Sequence, residues 1–345
     1  MSRSGFSALA AFSALLALAV VMLGAYVRLS DAGLGCPDWP GCYGRIGAPS
    51  SAQAIEEANA AYPQRPVETD KAWKEMVHRY LAGTLGLLVL AIAGLAWMNR
   101  SRRGIKVGLP TLTLGLVIFQ ALLGMWTVTL LVNPSIVTSH LIGGLATLAL
   151  LWWIALREGR YWLAPAKPEM LGLRPWAWGG LLLLAGQIFL GGWTSTNYAA
   201  LACSEFPTCY GGQWWPPTDF AAGFTLWREL GVNYEFGVLD SAARTAIHLT
   251  HRVGAALVLL YIGVLTLVVM RRGKGTAYRA VGAAMGLLLL IQLSLGIGNV
   301  LGNLPLPVAV AHNGGAALLL LSLLTLIHLL HPITLADNHD RGTFP

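Results

Sequence analysis

The chain has 345 residues, of which 55% are hydrophobic and 11% are charged, and its formal net charge is +7. A water-soluble domain of this length needs more polar surface than these residues supply, so the composition predicts a protein that lies largely in lipid. The positive charge does not indicate nucleic-acid binding, because the basic residues are grouped in short segments between apolar runs.

Eight apolar runs are each long enough to cross a hydrocarbon core of ~30 Å as a helix, which takes about 20 residues. Helices are required because the backbone finds no other hydrogen-bond partners in lipid. The runs cover residues 7–27, 76–98, 109–131, 139–156, 176–196, 245–270, 280–301 and 309–331. The first run has no clear cleavage site and is interpreted as a spanning helix. The sequence therefore predicts an all-α, polytopic membrane protein with eight transmembrane helices.

Basic residues follow the second, fourth and sixth runs, within residues 100–106, 157–174 and 271–279. By the positive-inside rule these segments are cytoplasmic, and both termini are then cytoplasmic too. We expect a multi-pass protein of a bacterial cytoplasmic membrane, with the long segments 28–72 and 198–243 on the outer side. The stretch SSAQAIEEANAAY in the first long segment is expected to form a short surface helix.

The second half of the chain repeats the first. Three aligned stretches carry the repeat: LGAYVRLSDAGLGCPDWPGCYG from residue 23 with LGGWTSTNYAALACSEFPTCYG from residue 190, HR at 78 with HR at 251, and SHLIGG at 139 with AHNGGA at 311. A repeat of four helices begins and ends on one side, which predicts two halves related by an axis along the membrane normal. We expect an N-terminal four-helix bundle at 1–157, a pseudo-symmetric C-terminal bundle at 176–331 and a cytoplasmic tail at 332–345.

Two histidines in each half lie near the outer ends of predicted helices: His78 and His140, then His251 and His312. Two imidazoles on facing helices can supply both axial ligands of one haem iron. A single histidine at a helix end is common without any such role, but its duplication favours two haem sites. Zinc or copper needs a compact ligand shell, whereas these histidines are divided two and two.

The repeat is unequal at one position beside these histidines. Glu75 precedes His78 by three residues, and His248 stands in the same relation to His251. Glu75 lies one turn from His78 on the same helical face, where a carboxylate is costly and usually functional. The alternative is a solvated acid favoured by the helix dipole. The mismatch predicts that only the first half carries out chemistry. His248 is an alternative ligand to His251, which is preferred because it aligns with His78.

Three arginines and two cysteine pairs accompany the histidines at the outer ends. Arg28, Arg79 and Arg252 are candidates to bind haem propionates, since guanidinium binds a carboxylate bidentately, or to anchor helices at the interface. The cysteines have C-x5-C spacing on the oxidising side of the membrane, and the candidate disulfides pair Cys36 with Cys42 and Cys203 with Cys209. Structural disulfides and a redox exchange with an external partner both fit this spacing.

The motifs GLGCPDWPGCYG, EMVHRYLAG, SHLIGG, AIHLTHRVGA and AHNGG occur in this order over nearly the whole chain and resemble those of the haem A synthase family of cytochrome oxidase assembly. The resemblance implies oxidation of a methyl group of haem O to a formyl group by two successive hydroxylations. It implies a haem b cofactor ligated by His251 and His312, substrate haem O ligated by His78 and His140, and a catalytic Glu75. Haem O synthase is the expected donor, and the electron acceptor is unidentified.

Two other functions fit parts of this pattern. A bis-histidine di-haem electron-transfer protein needs the same histidines but not Glu75. A transporter with parallel repeats predicts a polar cavity near the midplane, and few ionisable residues lie deep in these helices. If two histidines fill both axial positions of the substrate iron, that iron has no open site for O2. We therefore expect removal of electrons from the macrocycle, with Glu75 accepting a proton and water supplying the oxygen.

Overall fold

The computed structural model describes residues 2–103, 105–159, 168–273 and 277–331. The predicted tail 332–345 lies outside these residues, as do parts of the basic segments 157–174 and 271–279. Across the described ranges the regular secondary structure is helical, and the extended pairing consists of isolated bridges in loops. The predicted all-α class is confirmed.

The helices of the described ranges are, in chain order, α1 (Arg3–Leu29), α2 (Ala52–Ala61), α3 (Thr69–Arg103), α4 (Gly108–Thr129), α5 (Pro134–Glu158), α6 (Pro168–Leu171), α7 (Arg174–Thr196), α8 (Phe220–Gly223), α9 (Ser241–Arg272), α10 (Ala277–Leu301) and α11 (Leu306–Leu329). Eight of these helices are long and apolar enough to cross a membrane, namely α1, α3, α4, α5, α7, α9, α10 and α11. The chain is therefore a multi-pass membrane protein. The predicted surface helix is also confirmed, because α2 occupies the stretch SSAQAIEEANAAY.

Side-chain caps fix where two of the histidine-bearing helices begin. Asn133 precedes α5 and accepts a hydrogen bond from the Ser135 amide at 3.1 Å, and Pro134 takes the first helical position, where its missing N–H is harmless. Asp240 precedes α9 and accepts from the Ala243 amide at 2.8 Å. These caps set the depth at which the histidines further along α5 and α9 lie.

The tight turns that follow α4 and α10 have the same backbone conformation. Leu131 and Val132 have φ values of 50° and 52°, and Asn303 and Leu304 have values of 55° and 60°. Side-chain-bearing residues rarely adopt this left-handed region, so two consecutive residues there are a distinctive feature. The repeat seen in the sequence thus extends to irregular backbone.

The helices pack in the same order within each half. Helix α1 contacts α3 and α5, and α4 contacts α3 and α5; correspondingly, α7 contacts α9 and α11, and α10 contacts α9 and α11. Between the halves, α1 packs on α11, and α5 packs on both α7 and α11. Because one cluster of buried apolar side chains runs through both halves, they share a single core.

Both candidate disulfides form, Cys36 with Cys42 and Cys203 with Cys209. We call the segments around them the N-terminal disulfide loop (residues 36–45) and the C-terminal disulfide loop (residues 203–213). In each loop the amide of the second cysteine donates a 2.8 Å hydrogen bond to a carbonyl near the loop end, of Arg45 or Gln213 respectively. The two loops therefore turn back in the same way.

An acidic side chain binds the backbone amides inside each disulfide loop. Asp38 accepts from the Tyr43 amide at 2.6 Å, and Glu205 accepts from the Gly212 amide at 3.1 Å and the Gly211 amide at 2.9 Å. The bond from Gly212 is the main reason that the pKa of Glu205 lies below its usual range. These acids stabilise the loops and leave the adjacent helix ends free for other contacts.

Candidate functional site

The four predicted histidines are brought together in two pairs. His140 interacts electrostatically with His78, and His251 with His312, and each ring is only partly buried. The Nδ1 atoms of His78, His140 and His312 are buried and have no hydrogen-bond partner among the described residues. Buried polar atoms without partners are rare, and each one needs an explanation such as a further bound group.

A glycine of a neighbouring helix lies against every one of these imidazoles. A Cβ added to the glycine would approach the ring Cε1 at 3.0 Å for Gly24 and His78, 3.5 Å for Gly124 and His140, 3.2 Å for Gly191 and His251, and 3.2 Å for Gly296 and His312. Because glycine lacks a Cβ, the imidazole edge can pack directly on the neighbouring backbone. This glycine contact is the same at all four histidines.

This arrangement fits a haem held by two histidines in each half. Haem iron accepts axial imidazoles, and small residues let a flat macrocycle approach closely packed helices. In the part of the chain that the structure describes, no cluster of three or more His, Cys, Asp or Glu side chains is arranged for a single metal ion. The paired histidines are therefore suited to supply the axial ligands of a metal ion that is already bound in a macrocycle, as iron is in haem.

Glu75 is buried at the start of α3 and binds the N-terminal disulfide loop. One carboxylate oxygen accepts from the Cys36 amide at 2.9 Å, and the other pairs with the Arg79 guanidinium one turn later on the same helix. Its side chain is only 6% exposed. A buried carboxylate with an ionic partner and an amide donor is held in one orientation.

His248 occupies the matching position in α9 and makes the matching contacts. Its Nδ1 accepts from the Cys203 amide at 3.1 Å, and its Nε2 lies 3.3 Å from Arg252 Nε. Because a neutral imidazole has one acceptor nitrogen, the Cys203 amide makes the hydrogen bond and Arg252 makes a close contact. His251, not His248, is the residue that interacts with His312. Both Glu75 and His248 thus bind the disulfide loop of their half. They differ in the group that makes the contact, which is a carboxylate in one half and an imidazole in the other.

Arg79 and Arg252 each hold a disulfide loop by its carbonyl oxygens. Arg79 Nη1 donates to the carbonyls of Asp38 at 3.0 Å, Pro40 at 3.3 Å and Gly41. Arg252 donates to the carbonyls of Thr208 at 2.8 Å, Cys203 at 2.9 Å and Glu205 at 2.7 Å. These contacts could not be read from the sequence, because carbonyl acceptors carry no residue-type signature. A propionate-binding role for either arginine stays a prediction.

Arg28 joins the two halves instead of lying alone at the end of α1. Its guanidinium donates to the Tyr198 hydroxyl at 3.1 Å and to the Ser195 carbonyl at 3.0 Å, and it stacks on the Tyr198 ring at 4.2 Å. Tyr198 and Ser195 belong to the C-terminal half. The arginine therefore fixes the N-terminal half against its neighbour near the disulfide loops.

The long loop of the C-terminal half also reaches the N-terminal half. The Tyr234 amide donates to the Leu131 carbonyl at 3.1 Å, and Glu235 pairs with Arg65 at 3.5 Å. Tyr234 packs with Leu34 and other buried apolar residues of the N-terminal half. These contacts could not be predicted, because they depend on how a long loop of one half packs against the other half.

These features define a class: polytopic membrane proteins with two related four-helix units, each presenting a pair of facing imidazoles beside a disulfide loop. The model of the family described as cytochrome oxidase assembly protein matches residues 7–324. The chain belongs to this family.

Relatives of known name cover almost the full chain. A heme A synthase of Shewanella oneidensis is 45% identical over 313 residues, which are 91% of this chain and 93% of that protein. Heme A synthases of Caulobacter vibrioides and Halalkalibacterium halodurans are 29% and 28% identical; the alignments cover 89% and 85% of this chain and 90% and 86% of those proteins.

Proposed function

We propose that this chain is a haem A synthase, an oxidoreductase that converts a methyl group of haem O to the formyl group of haem A for terminal oxidases. The observation that carries the proposal is the carboxylate of Glu75 in the place of the His248 imidazole, in a chain whose near-full-length relatives are named heme A synthase. Two similar sites, of which only one has a carboxylate, suit an enzyme that holds a cofactor in one site and a substrate in the other. The carboxylate would then belong to the substrate site.

The two sites take different haems in this proposal. The C-terminal bundle, 176–331, holds haem b between His251 and His312. The N-terminal bundle, 1–157, binds haem O between His78 and His140. Haem b, when bound, supplies one-electron redox chemistry. The support for these assignments is the placement of Glu75, which lies one turn from His78 and has no carboxylate counterpart near His251.

Glu75 is the proposed catalytic base. The Cys36 amide and Arg79 hold its carboxylate in one orientation, one helical turn from His78. Each hydroxylation consumes one water and releases two protons and two electrons, and loss of water from the resulting geminal diol leaves the formyl group. The electrons pass to an acceptor that we do not identify, and haem O synthase is the proposed donor of the substrate.

The topology completes the proposal. The segments between α3 and α4, α5 and α7, and α9 and α10 are rich in basic residues, so we place them and both termini in the cytoplasm. The disulfide loops then face the oxidising side of a bacterial cytoplasmic membrane, where disulfides persist. Attachment of cysteine-reactive probes to introduced single cysteines would test this orientation.

Haem extraction tests the function directly. Protein purified from cells with haem O synthase should contain haem B together with haem O or haem A, and protein from cells without that synthase should contain haem B alone. Haem B alone under both conditions would refute the proposal. It would favour the rival function, a di-haem electron-transfer protein, in which Glu75 has only the loop-binding role that His248 also fills.

Isotope labelling tests the source of the oxygen. The formyl oxygen should carry label when haem A is formed in H2(18)O, measured by mass spectrometry before exchange with solvent. Label from O2 in place of label from water would refute the proposed removal of electrons from the macrocycle.

A further inference from the structure

A glutamine accompanies three of the four paired histidines, and the fourth lacks one. Each glutamine lies four residues before the glycine that touches the histidine, and its amide lies against a second glycine three residues after that histidine. The sets of histidine, glutamine and second glycine are His140 with Gln120 and Gly143, His251 with Gln187 and Gly254, and His312 with Gln292 and Gly315. At His78 the corresponding positions hold Val20 and Leu81.

The second glycine makes room for the glutamine in each complete set. A Cβ on Gly143, Gly254 or Gly315 would collide with the Gln120, Gln187 or Gln292 amide. At His78 the corresponding residues are both apolar, and Val20 and Leu81 belong to the same hydrophobic cluster. Glutamine with glycine and valine with leucine are therefore two alternative ways to fill one position, and the exchange occurs only at His78.

Two of the three glutamine amides lie within hydrogen-bond distance of an imidazole, whereas both amide atoms of Gln120 are buried without a partner among the described residues. Gln187 Nε2 is 3.0 Å from His251 Nδ1 and 3.0 Å from the His251 carbonyl oxygen, and Gln292 Nε2 is 3.3 Å from His312 Nε2. The oxygens of both amides are buried and unpartnered within the described ranges. A histidine that binds iron through Nε2 carries its proton on Nδ1 and donates it to a nearby acceptor. Gln187 contacts its histidine at this nitrogen, whereas Gln292 contacts His312 at Nε2 and meets Nδ1 only when the His312 ring is turned over. Rotation of the Gln187 amide exchanges its bond to the carbonyl for an oxygen facing that proton.

We propose that these glutamines are positioning residues that orient and strengthen three of the axial ligands. His78 has no such glutamine, so it is the ligand whose bond to iron forms when substrate haem enters and breaks when product haem leaves. The proposal rests on the proposed function for its assignment of substrate and cofactor sites. It explains how two similar sites differ in use: haem b has two supported ligands, whereas the substrate has one supported ligand and one unsupported ligand.

Exchanging the two arrangements tests the proposal. The double variant Gln187→Val/Gly254→Leu gives His251 the surroundings of His78, and the transfer of haem b to apomyoglobin should become about 10- to 100-fold faster, the usual loss when a ligand's hydrogen-bond partner is removed. The midpoint potential of haem b should rise, because a less basic imidazole stabilises the oxidised iron less. Unchanged transfer and unchanged potential would overturn the proposal.

The reciprocal variant Val20→Gln/Leu81→Gly supplies His78 with the missing partner. In this proposal haem leaves the N-terminal site when its bond to His78 breaks. The transfer of haem from this site to apomyoglobin should therefore slow by a similar factor, and the transfer of haem b should not change. Unchanged transfer from the N-terminal site would overturn the assignment of His78 as the exchangeable ligand.

Gln187→Glu separates hydrogen bonding from packing. The carboxylate keeps the size of glutamine and can only accept from the imidazole when ionised, so haem b should be retained with a lower midpoint potential. A potential that does not fall would show that Gln187 only fills space, and would overturn the proposal even if the double variants do not fold. All measurements on the C-terminal site use haem b alone, so they remain decisive if the extraction experiment refutes haem A synthesis.

Discussion

The N-terminal and C-terminal disulfide loops are attached to their helices through the same contacts made by different side chains. Glu75 binds the Cys36 amide and Arg79, and His248 binds the Cys203 amide and Arg252. An imidazole thus suffices to attach such a loop, so attachment does not explain why one half has a carboxylate. We infer that Glu75 has a structural role that His248 shares and, in the proposed function, a chemical role that His248 does not share.

The largest expected effect comes from making the two loop attachments identical. Glu75→His should keep the N-terminal loop in place, because His248 makes the same contacts, but should reduce haem A formation by about 10²- to 10⁴-fold through loss of the general base. Haem A is measured by extraction and chromatography. Glu75→Gln, which keeps an acceptor for the Cys36 amide, should lose activity to the same extent.

His248→Glu is the matched control for this comparison. It converts the C-terminal attachment to the N-terminal type and should leave haem A formation within a few-fold of wild type, since the cofactor site performs no proton transfer. Normal haem A formation in Glu75→His would show that the carboxylate has no chemical role and that the halves differ for another reason.

A smaller effect is expected from the glycines that touch the histidines. A Cβ at Gly24 would lie 3.0 Å from His78 and must displace the ring, whereas a Cβ at Gly124 would lie 3.5 Å from His140 in ordinary contact. Gly24→Ala should therefore reduce haem A formation about 10-fold by misplacing the ligand, and Gly124→Ala should be close to neutral. Equal losses in the two variants would contradict the contact geometry.

Gly191→Ala is the change in the C-terminal half that corresponds to Gly24→Ala. Gly191→Ala places a Cβ 3.2 Å from His251 and should weaken retention of haem b without altering the haem O content. The haem b content per chain, measured by the pyridine haemochrome assay, distinguishes this outcome from a general loss of folding.

The smallest effect is expected where the two halves meet in the loops. Arg65 and Glu235 lie 3.5 Å apart, with side chains 29% and 15% exposed. Glu235→Gln should lower the free energy of unfolding by at most about 1 kcal/mol, the usual worth of such pairs. Thermal unfolding in detergent measures this change, and a double variant with Arg65→Gln isolates the pair. A coupling well above that value would mean that the loop contact holds the halves together.

Much of the fold followed from the sequence because lipid leaves the backbone few options. The eight apolar runs had to be helices, and the helices of the structure extend beyond them mainly at the ends, as α3 does by beginning at Thr69 instead of residue 76. The cysteine pairing followed from the C-x5-C spacing. The repeat predicted two related halves, and the helices of the two halves pack in the same order.

The contacts of the site could not be predicted in the same way. Glu75 was recognised as exceptional, but its binding to the Cys36 amide depends on how the loop folds back onto α3. Arg28 was expected to bind haem or the interface, and its contact with Tyr198 depends on how the halves dock. The sequence analysis did not single out the glutamine and glycine sets, because only the packing of neighbouring helices brings each glutamine next to the glycine that follows a particular histidine.

One ligand variant from each half tests whether the two halves hold different haems. His251→Ala and His78→Ala are purified from cells that lack haem O synthase, and the b-type absorbance per chain is measured. We expect His251→Ala to lose this absorbance and His78→Ala to keep it. Loss in His78→Ala with retention in His251→Ala would contradict the assignment of cofactor and substrate halves.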